Sequence, residues 1–122
     1  MGDVTTANTN VDGSGTLATV LTAASNGTRV DTIRVKGRVA TGSTQAADTV
    51  RIFLHDGSTA KLWQDVAVPA GSGPIAAAVQ NFETTITMPP NFVLPNGWSI
   101  RASTHTGGAT ATYVVSAVGA DF

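Results

Sequence analysis

The sequence predicts an all-β, single-domain, jelly-roll-like antiparallel β-sandwich of about eight strands. The chain of 122 residues has the length of one ordinary domain. Short runs that alternate apolar and polar residues recur along it and are separated by Gly, Pro or Asn, a spacing typical of sandwiches and barrels. Threonine and valine are abundant and there are 13 glycines, whereas glutamate and lysine are scarce. This composition disfavours helix.

The elements follow in chain order. Residues 1–15 are polar and have no apolar periodicity, so we expect an extended N-terminal arm, followed by a sandwich domain over residues 16–122. Within the domain, eight runs have the period of a strand. They are Thr16–Thr22, Arg29–Val39, Thr49–His55, Lys61–Val68, Val79–Met88, Phe92–Leu94, Trp98–Thr104 and Thr110–Val118. Two sheets of about four strands each describe a jelly roll or a related Greek-key sandwich.

The stretch "IFLHDGSTAKLWQDV" contains the residue types of a hydrolase triad within four positions, His55, Asp56 and Ser58. Neighbouring side chains on a strand point to opposite faces, and triad members normally come from separated positions. Asp-Gly between two alternating runs is instead a strong hairpin signal. We therefore predict a β-hairpin turn here and not a catalytic site.

Other enzymatic and metal-dependent functions are also not expected. There are no cysteines, and His55 and His105 are too far apart in sequence for a recognisable ligand spacing with Asp56 or Asp121. The carboxylates lie mostly in turn-like contexts, so nothing indicates a glycosidase pair. The sequence predicts no enzyme activity and no cofactor.

Composition also restricts the partners. The formal net charge is −1 and only 12% of residues are charged, so nucleic acid is not an expected partner. No apolar run reaches the length of a membrane span, and "MGDVTTANTN" does not resemble a signal peptide. A neutral surface of this kind suits a protein whose outer faces are covered by partners.

A basic stripe, Arg34, Lys36 and Arg38, lies on one face of the second run, opposite Ile33 and Val35. The stripe is either a contact for an acidic partner surface or a solvated outer face that guards against aggregation. Arg51 and Arg101 also lie opposite the apolar faces of their runs. They would enlarge the stripe into a patch if their strands were adjacent to it.

Two aromatic residues complete the candidate partner contacts. Alternation puts Trp63 opposite Leu62 and Val66, so it is either exposed or packed in an interface. Phe122 ends the "GADF" sequence and offers an apolar anchor. Trp98 alternates with Ile100 and is predicted to be buried.

Four segments together, "NGTRVDTIRVKG", "VRIFLHDGSTAKLWQDVAVPA", "LPNGWSIRAST" and "VGADF", resemble small virion proteins of tailed bacteriophages, in particular capsid decoration or cement proteins with a jelly-roll fold. The resemblance covers about residues 16–122 and consists of strand and turn patterns. It implies a non-enzymatic protein that binds the outside of the phage head and clamps subunits of the major capsid protein. It offers no catalytic residues.

That role implies synthesis in the cytoplasm of the bacterial host and a final location on the outer surface of the virion. We expect a homodimer or homotrimer, because one small sandwich seldom supplies enough contact area by itself. The alternative is a carbohydrate- or receptor-binding module of a phage tail or fibre. Exposed tryptophans would favour that alternative, and Trp63 and Trp98 are the candidates.

Overall fold

The computed structural model describes residues 2–4, 6–39, 47–69, 79–105 and 111–122, and these residues form nine strands and no helix. The strands are β1 Gly2–Val4, β2 Ala18–Thr22, β3 Thr28–Val39, β4 Asp48–His55, β5 Ala60–Val68, β6 Val79–Thr87, β7 Val93–Leu94, β8 Ser99–Thr104 and β9 Ala111–Asp121. The all-β prediction is confirmed.

The strands form two antiparallel sheets. The five-stranded sheet has the order β1-β9-β3-β6, with β7 also pairing with β3, and the four-stranded sheet has the order β2-β8-β4-β5. Without the two-residue β7, the first sheet takes the first, last, third and sixth strands, and the second sheet takes the remaining four. This order is that of a jelly roll, so the predicted sandwich is confirmed in its topology as well.

The core lies between the sheets and is built from the predicted alternating faces. Val35 of β3 pairs with Val115 of β9, and these two residues are fully buried together with Ile33 and Tyr113 on the same two strands. The four-stranded sheet contributes the remaining large side chains, among them Val50, Ile52, Val66, Val68 and Ile100. Burying each of these side chains contributes about 1.5–3 kcal/mol. The core is therefore the main source of the stability that holds the two sheets together.

The first strand differs from the expected N-terminal arm. Residues 2–4 pair with β9 in the register Gly2↔Val115 to Val4↔Tyr113, and Val4 is 3% exposed. A strand of three residues is too short to show periodicity in the sequence. Backbone hydrogen bonds to β9 and one buried valine nevertheless make it part of the jelly roll.

Candidate functional site

The two outer faces of the sandwich differ in what lies over them. Residues 6–17, here called the covering segment, run along the outer face of the four-stranded sheet. There the carbonyl oxygen of Asn8 accepts a 3.5 Å hydrogen bond from Nη1 of Arg51 on β4. Phe53, two residues further on the same face, is fully buried although it lies outside the central core cluster. We infer that the covering segment buries it.

Asn8 holds the covering segment in place. Its side-chain Nδ2 donates to the carbonyl oxygens of Ser14 and Thr16, both at 2.9 Å, and its Oδ1 accepts from the backbone N–H of Asn10 at 3.0 Å. Gly15 has φ +82°, and a Cβ there would stand 2.8 Å from the Asn8 amide. The segment is thus a compact loop fixed by one buried amide.

Arg51 links the covering segment to the end of β8. Its Nη2 lies 3.1 Å from Nδ1 of His105, its Nε lies 3.8 Å from Asp65, and the residue is 9% exposed. A guanidinium is always a donor, so the His105 nitrogen accepts and carries no proton. Nδ1 of His105 therefore faces the guanidinium of Arg51. No group of three metal-ligating side chains occurs among the described residues.

The predicted basic stripe lies on the outer face of the five-stranded sheet, which we call the open face because its side chains are accessible in the part of the chain the structure describes. Arg34 forms an exposed ion pair with Glu83, Nε to Oε1 3.4 Å. Lys36 pairs in register with Glu83 on one side and with Val114 on the other. Arg38 belongs to β3, and its side chain lies outside the described atoms.

The larger basic patch does not form. Arg51 and Arg101 lie on β4 and β8 of the four-stranded sheet, whereas the stripe lies on β3 of the other sheet. Arg29, also on β3, is paired with Asp31 at 3.0 Å. Arg29 and Arg34 on the open face therefore each lie beside an acidic side chain, so this face is mixed in charge.

Exposed apolar side chains occur at one end of the open face. Val118 is 58% exposed and Phe122 is 60% exposed. Phe122 is held by its backbone, whose N–H donates to the carbonyl oxygen of Gly27 at 3.1 Å. Val93, 43% exposed, also lies beside Gly27. This end of the sandwich offers apolar surface on a fixed backbone.

Trp63 does not occupy the position that alternation predicted. The β4–β5 register passes from Ile52↔Gln64 to Phe53↔Leu62, so Trp63 is the extra residue of a β-bulge. Its half-buried ring packs against the core and lies 6.0 Å from the ring of Phe92. Leu62 is instead the exposed residue.

The triad-like residues form the predicted hairpin turn. Asp56 Oδ1 accepts from the backbone N–H groups of Ser58 and Thr59, at 2.9 and 2.8 Å. These hydrogen bonds, with that to Thr59 the stronger influence, lower the pKa of the Asp56 carboxyl. Nδ1 of His55 accepts from the N–H of Gly57 at 3.0 Å. The hairpin prediction is confirmed, and these polar atoms shape its turn.

A cleft of about 400 Å³ separates this hairpin from the covering segment, and we call it the polar cleft. Arg101 and His55 line it from the sheet, and Asp12 and Ser14 line it from the covering segment. The Asp12 carboxylate accepts from the hydroxyl and the backbone N–H of Ser14, and these two bonds lower its pKa. The cleft thus places cationic and anionic groups on facing walls. Sequence reasoning did not find this cleft, because these residues come together only when the loop folds back, and the glycines at 13 and 15 are the one local signal of that fold.

Trp98 lines a second cleft, of about 290 Å³, on the other side of the same hairpin. Its ring is half-buried against the core, and Leu54 and Lys61 form the neighbouring walls. Both tryptophans are therefore half-buried. Neither presents the fully exposed flat ring that a sugar-stacking platform requires.

The described residues contain no helix of the length and apolarity needed to cross a membrane. Comparisons with protein-family models, with characterised proteins and with solved structures gave no match.

Proposed function

We propose that this chain is a structural virion protein, a decoration protein that binds the outside of a phage head and stabilises contacts between major capsid protein subunits. The observation that carries the proposal is the asymmetry of the sandwich. Residues 6–17 lie over β4 and β8 on one outer face, whereas the open face is accessible in the part of the chain that the structure describes. The role is non-enzymatic and uses no cofactor.

The composition of the open face suits a protein contact. Its charges are few and lie beside opposite charges, as at Arg34 and Glu83. Exposed ion pairs of this kind contribute little to folding, about 0–1 kcal/mol, so they are free to rearrange with a partner. Val118 adds apolar surface next to them. Mixed polar and apolar surface is normal for interfaces that form between folded proteins.

The open face is also large enough for a substantial part of an interface. Each strand residue covers about 16 Å² of sheet, from a rise of about 3.3 Å and a strand spacing of about 4.8 Å. Strands β1, β9, β3 and β6 have 3, 11, 12 and 9 residues, so the face measures on the order of 550 Å². That is about two thirds of the roughly 800 Å² that each partner contributes to a standard interface. A homodimer or homotrimer carries several such contacts and can engage several capsid subunits at once. Its overall binding is then tighter through avidity, without a larger area for each contact.

The proposal is tested by adding purified protein to phage heads that lack it and measuring the bound fraction by sedimentation. Lys36→Glu and Val118→Asp alter the open face. Each has a matched control with the same chemical change on the other side of the sandwich. Lys61→Glu matches the first, and Val11→Asp matches the second because Val11 is 55% exposed.

We expect both open-face variants to bind heads at least tenfold more weakly and both controls to bind like the unmodified chain. Lys36→Glu places a second carboxylate next to Glu83, so it should repel an acidic partner surface. Equal losses for variants and controls would assign binding to another surface. Absence of binding by the unmodified chain would reject the decoration role.

A second candidate function is a binding module of a phage tail or fibre, and the polar cleft is the observation that favours it. Antibody labelling of intact virions separates the two locations. Label over the head supports the decoration role, and label confined to the tail supports the binding module.

A further inference from the structure

We propose that the polar cleft binds an acidic sugar, with Arg101 holding the sugar carboxylate. The cleft lies over the outer face of the four-stranded sheet, on the opposite side of the sandwich from the open face. The inference therefore goes beyond head binding. A copy attached through its open face would present this cleft to the surrounding medium.

Arg101 is the cationic centre of the cleft. It lies on β8, is half-buried, and donates from Nε to Oγ of Ser99 at 3.2 Å. No carboxylate among the described residues lies within 4.0 Å of it, in contrast to Arg29 and Arg34. The bond to Ser99 orients the guanidinium and leaves its Nη groups available. A planar guanidinium binds a carboxylate through two parallel hydrogen bonds.

His55 provides a directed donor beside Arg101. Its Nδ1 accepts from the N–H of Gly57, so the neutral ring carries its proton on Nε2. The same ring lines the cleft. Nε2–H is therefore a donor for a ligand oxygen, while Nδ1 stays occupied by the turn.

Asp12 determines which anion fits. A carboxylate is ionised near neutral pH at its ordinary pKa, and the hydrogen bonds donated by Ser14 lower the pKa of Asp12 further. An ionised carboxylate only accepts hydrogen bonds, so it suits ligand hydroxyl groups and repels compact dianions such as sulfate. A ligand that satisfies both walls needs one carboxylate and neighbouring hydroxyls. Uronic and sialic acids share that chemistry.

The walls of the cleft are held in place before any ligand binds. Gly13 has φ +91°, and a Cβ there would overlap the carbonyl oxygen of Ala60, so the covering segment approaches β5 as closely as only glycine permits. Asn8 fixes the other end of the same loop, and Asp56 fixes the facing hairpin. Fixed walls reduce the ordering cost of binding. The volume of about 400 Å³ is within the range of small-molecule sites.

The test uses the free, ¹⁵N-labelled protein without heads and follows amide shifts during titration. The probes are methyl glucuronide and methyl glucoside, which differ in having a carboxylate or a hydroxymethyl group, and sodium sulfate. We expect saturable shifts around Gly13, Ser58 and Arg101 with methyl glucuronide, at a Kd of about 1 mM or tighter. Methyl glucoside should bind at least tenfold more weakly, and sulfate should not saturate.

Arg101→Gln should weaken methyl glucuronide binding at least tenfold, whereas Arg29→Gln, the same change on the other sheet, should have no effect. Asp12→Asn, at an exposed position, is the second variant and should weaken the glucuronide several-fold while allowing sulfate to bind. Equal binding of glucuronide and glucoside, or sulfate binding as tight as glucuronide in the unmodified chain, would overturn the assignment. Lys36→Glu should leave this Kd unchanged, so failure of the sugar site and failure of head binding are distinguishable.

Discussion

The side chain of Asn8 allows a quantitative test of whether the first 17 residues belong to the fold. Asn8→Ala removes three hydrogen bonds, to Ser14, Thr16 and Asn10. Each contributes about 0.5–1.5 kcal/mol net, and water reaches part of the loop after the change. We therefore expect the free energy of unfolding to fall by about 2 kcal/mol. That is a large fraction of the 5–15 kcal/mol typical of a domain.

Urea unfolding followed by the fluorescence of Trp63 and Trp98 measures this loss. With an m-value of about 1–2 kcal/mol per molar urea, the midpoint should fall by about 1–2 M. Asn10→Ala is the matched control, because the exposed Asn10 donates only through its backbone and should change stability by less than about 0.5 kcal/mol. Asn8→Asp keeps the size of the side chain but places a carboxylate oxygen against two carbonyls. Its cost should shrink in acid, where the protonated group can donate one bond.

Equal midpoints for Asn8→Ala and Asn10→Ala would refute the reasoning. The covering segment would then be an arm that contributes nothing to the sandwich, as the sequence had suggested. In that case proteolysis should also release residues 1–15 without unfolding the rest.

Three further predictions concern other parts of the fold. Gly119→Ala should destabilise the protein far more than Gly97→Ala, because a Cβ at Gly119 would overlap the Arg29 carbonyl oxygen. The surroundings of Gly97 are empty, so the cost of Gly97→Ala is only that of the positive φ, about 1–3 kcal/mol. Similar melting temperatures for the two variants would contradict this. In urea titrations, Trp63→Ala should lower the free energy of unfolding by about 2–3 kcal/mol and Leu62→Ala by less than about 1 kcal/mol. The reverse order would show that the bulge is misplaced. The lowered pKa of Asp56 means that its stabilising effect is present above the pKa of the unfolded chain, about 3.9, and is lost as pH falls through the lower folded-state pKa. The difference in melting temperature between the unmodified chain and Asp56→Asn should therefore narrow below about pH 4, and a difference independent of pH would count against the turn bonds.

Alternation predicted the core well because period 2 is a local property of the chain. Ile33 and Val35, and likewise Val50 and Ile52, were assigned to buried faces from their spacing alone. The Asp-Gly turn was also predictable, because its backbone requirement is local.

The misplaced residues are those whose environment is set by distant parts of the chain. A single inserted residue in β5 turns Trp63 inward, and alternation cannot show where a bulge lies. The sequence left open whether Arg101 joins the stripe on β3, because which strands share a sheet depends on the order of pairing. Asp12 meets Arg101 across the polar cleft only because the loop folds back, and the glycines at 13 and 15 were its one local sign.

The position of β9 also affects how the protein folds. β9 lies between β1 and β3, so the five-stranded sheet cannot assemble until residues 111–121 have left the ribosome. Until then the apolar faces of β1 and β3 have no central partner. Topologies dominated by such distant pairings fold in milliseconds to seconds, far more slowly than helical bundles. During that delay the chain depends on its threonine-rich, weakly apolar strands to avoid aggregation.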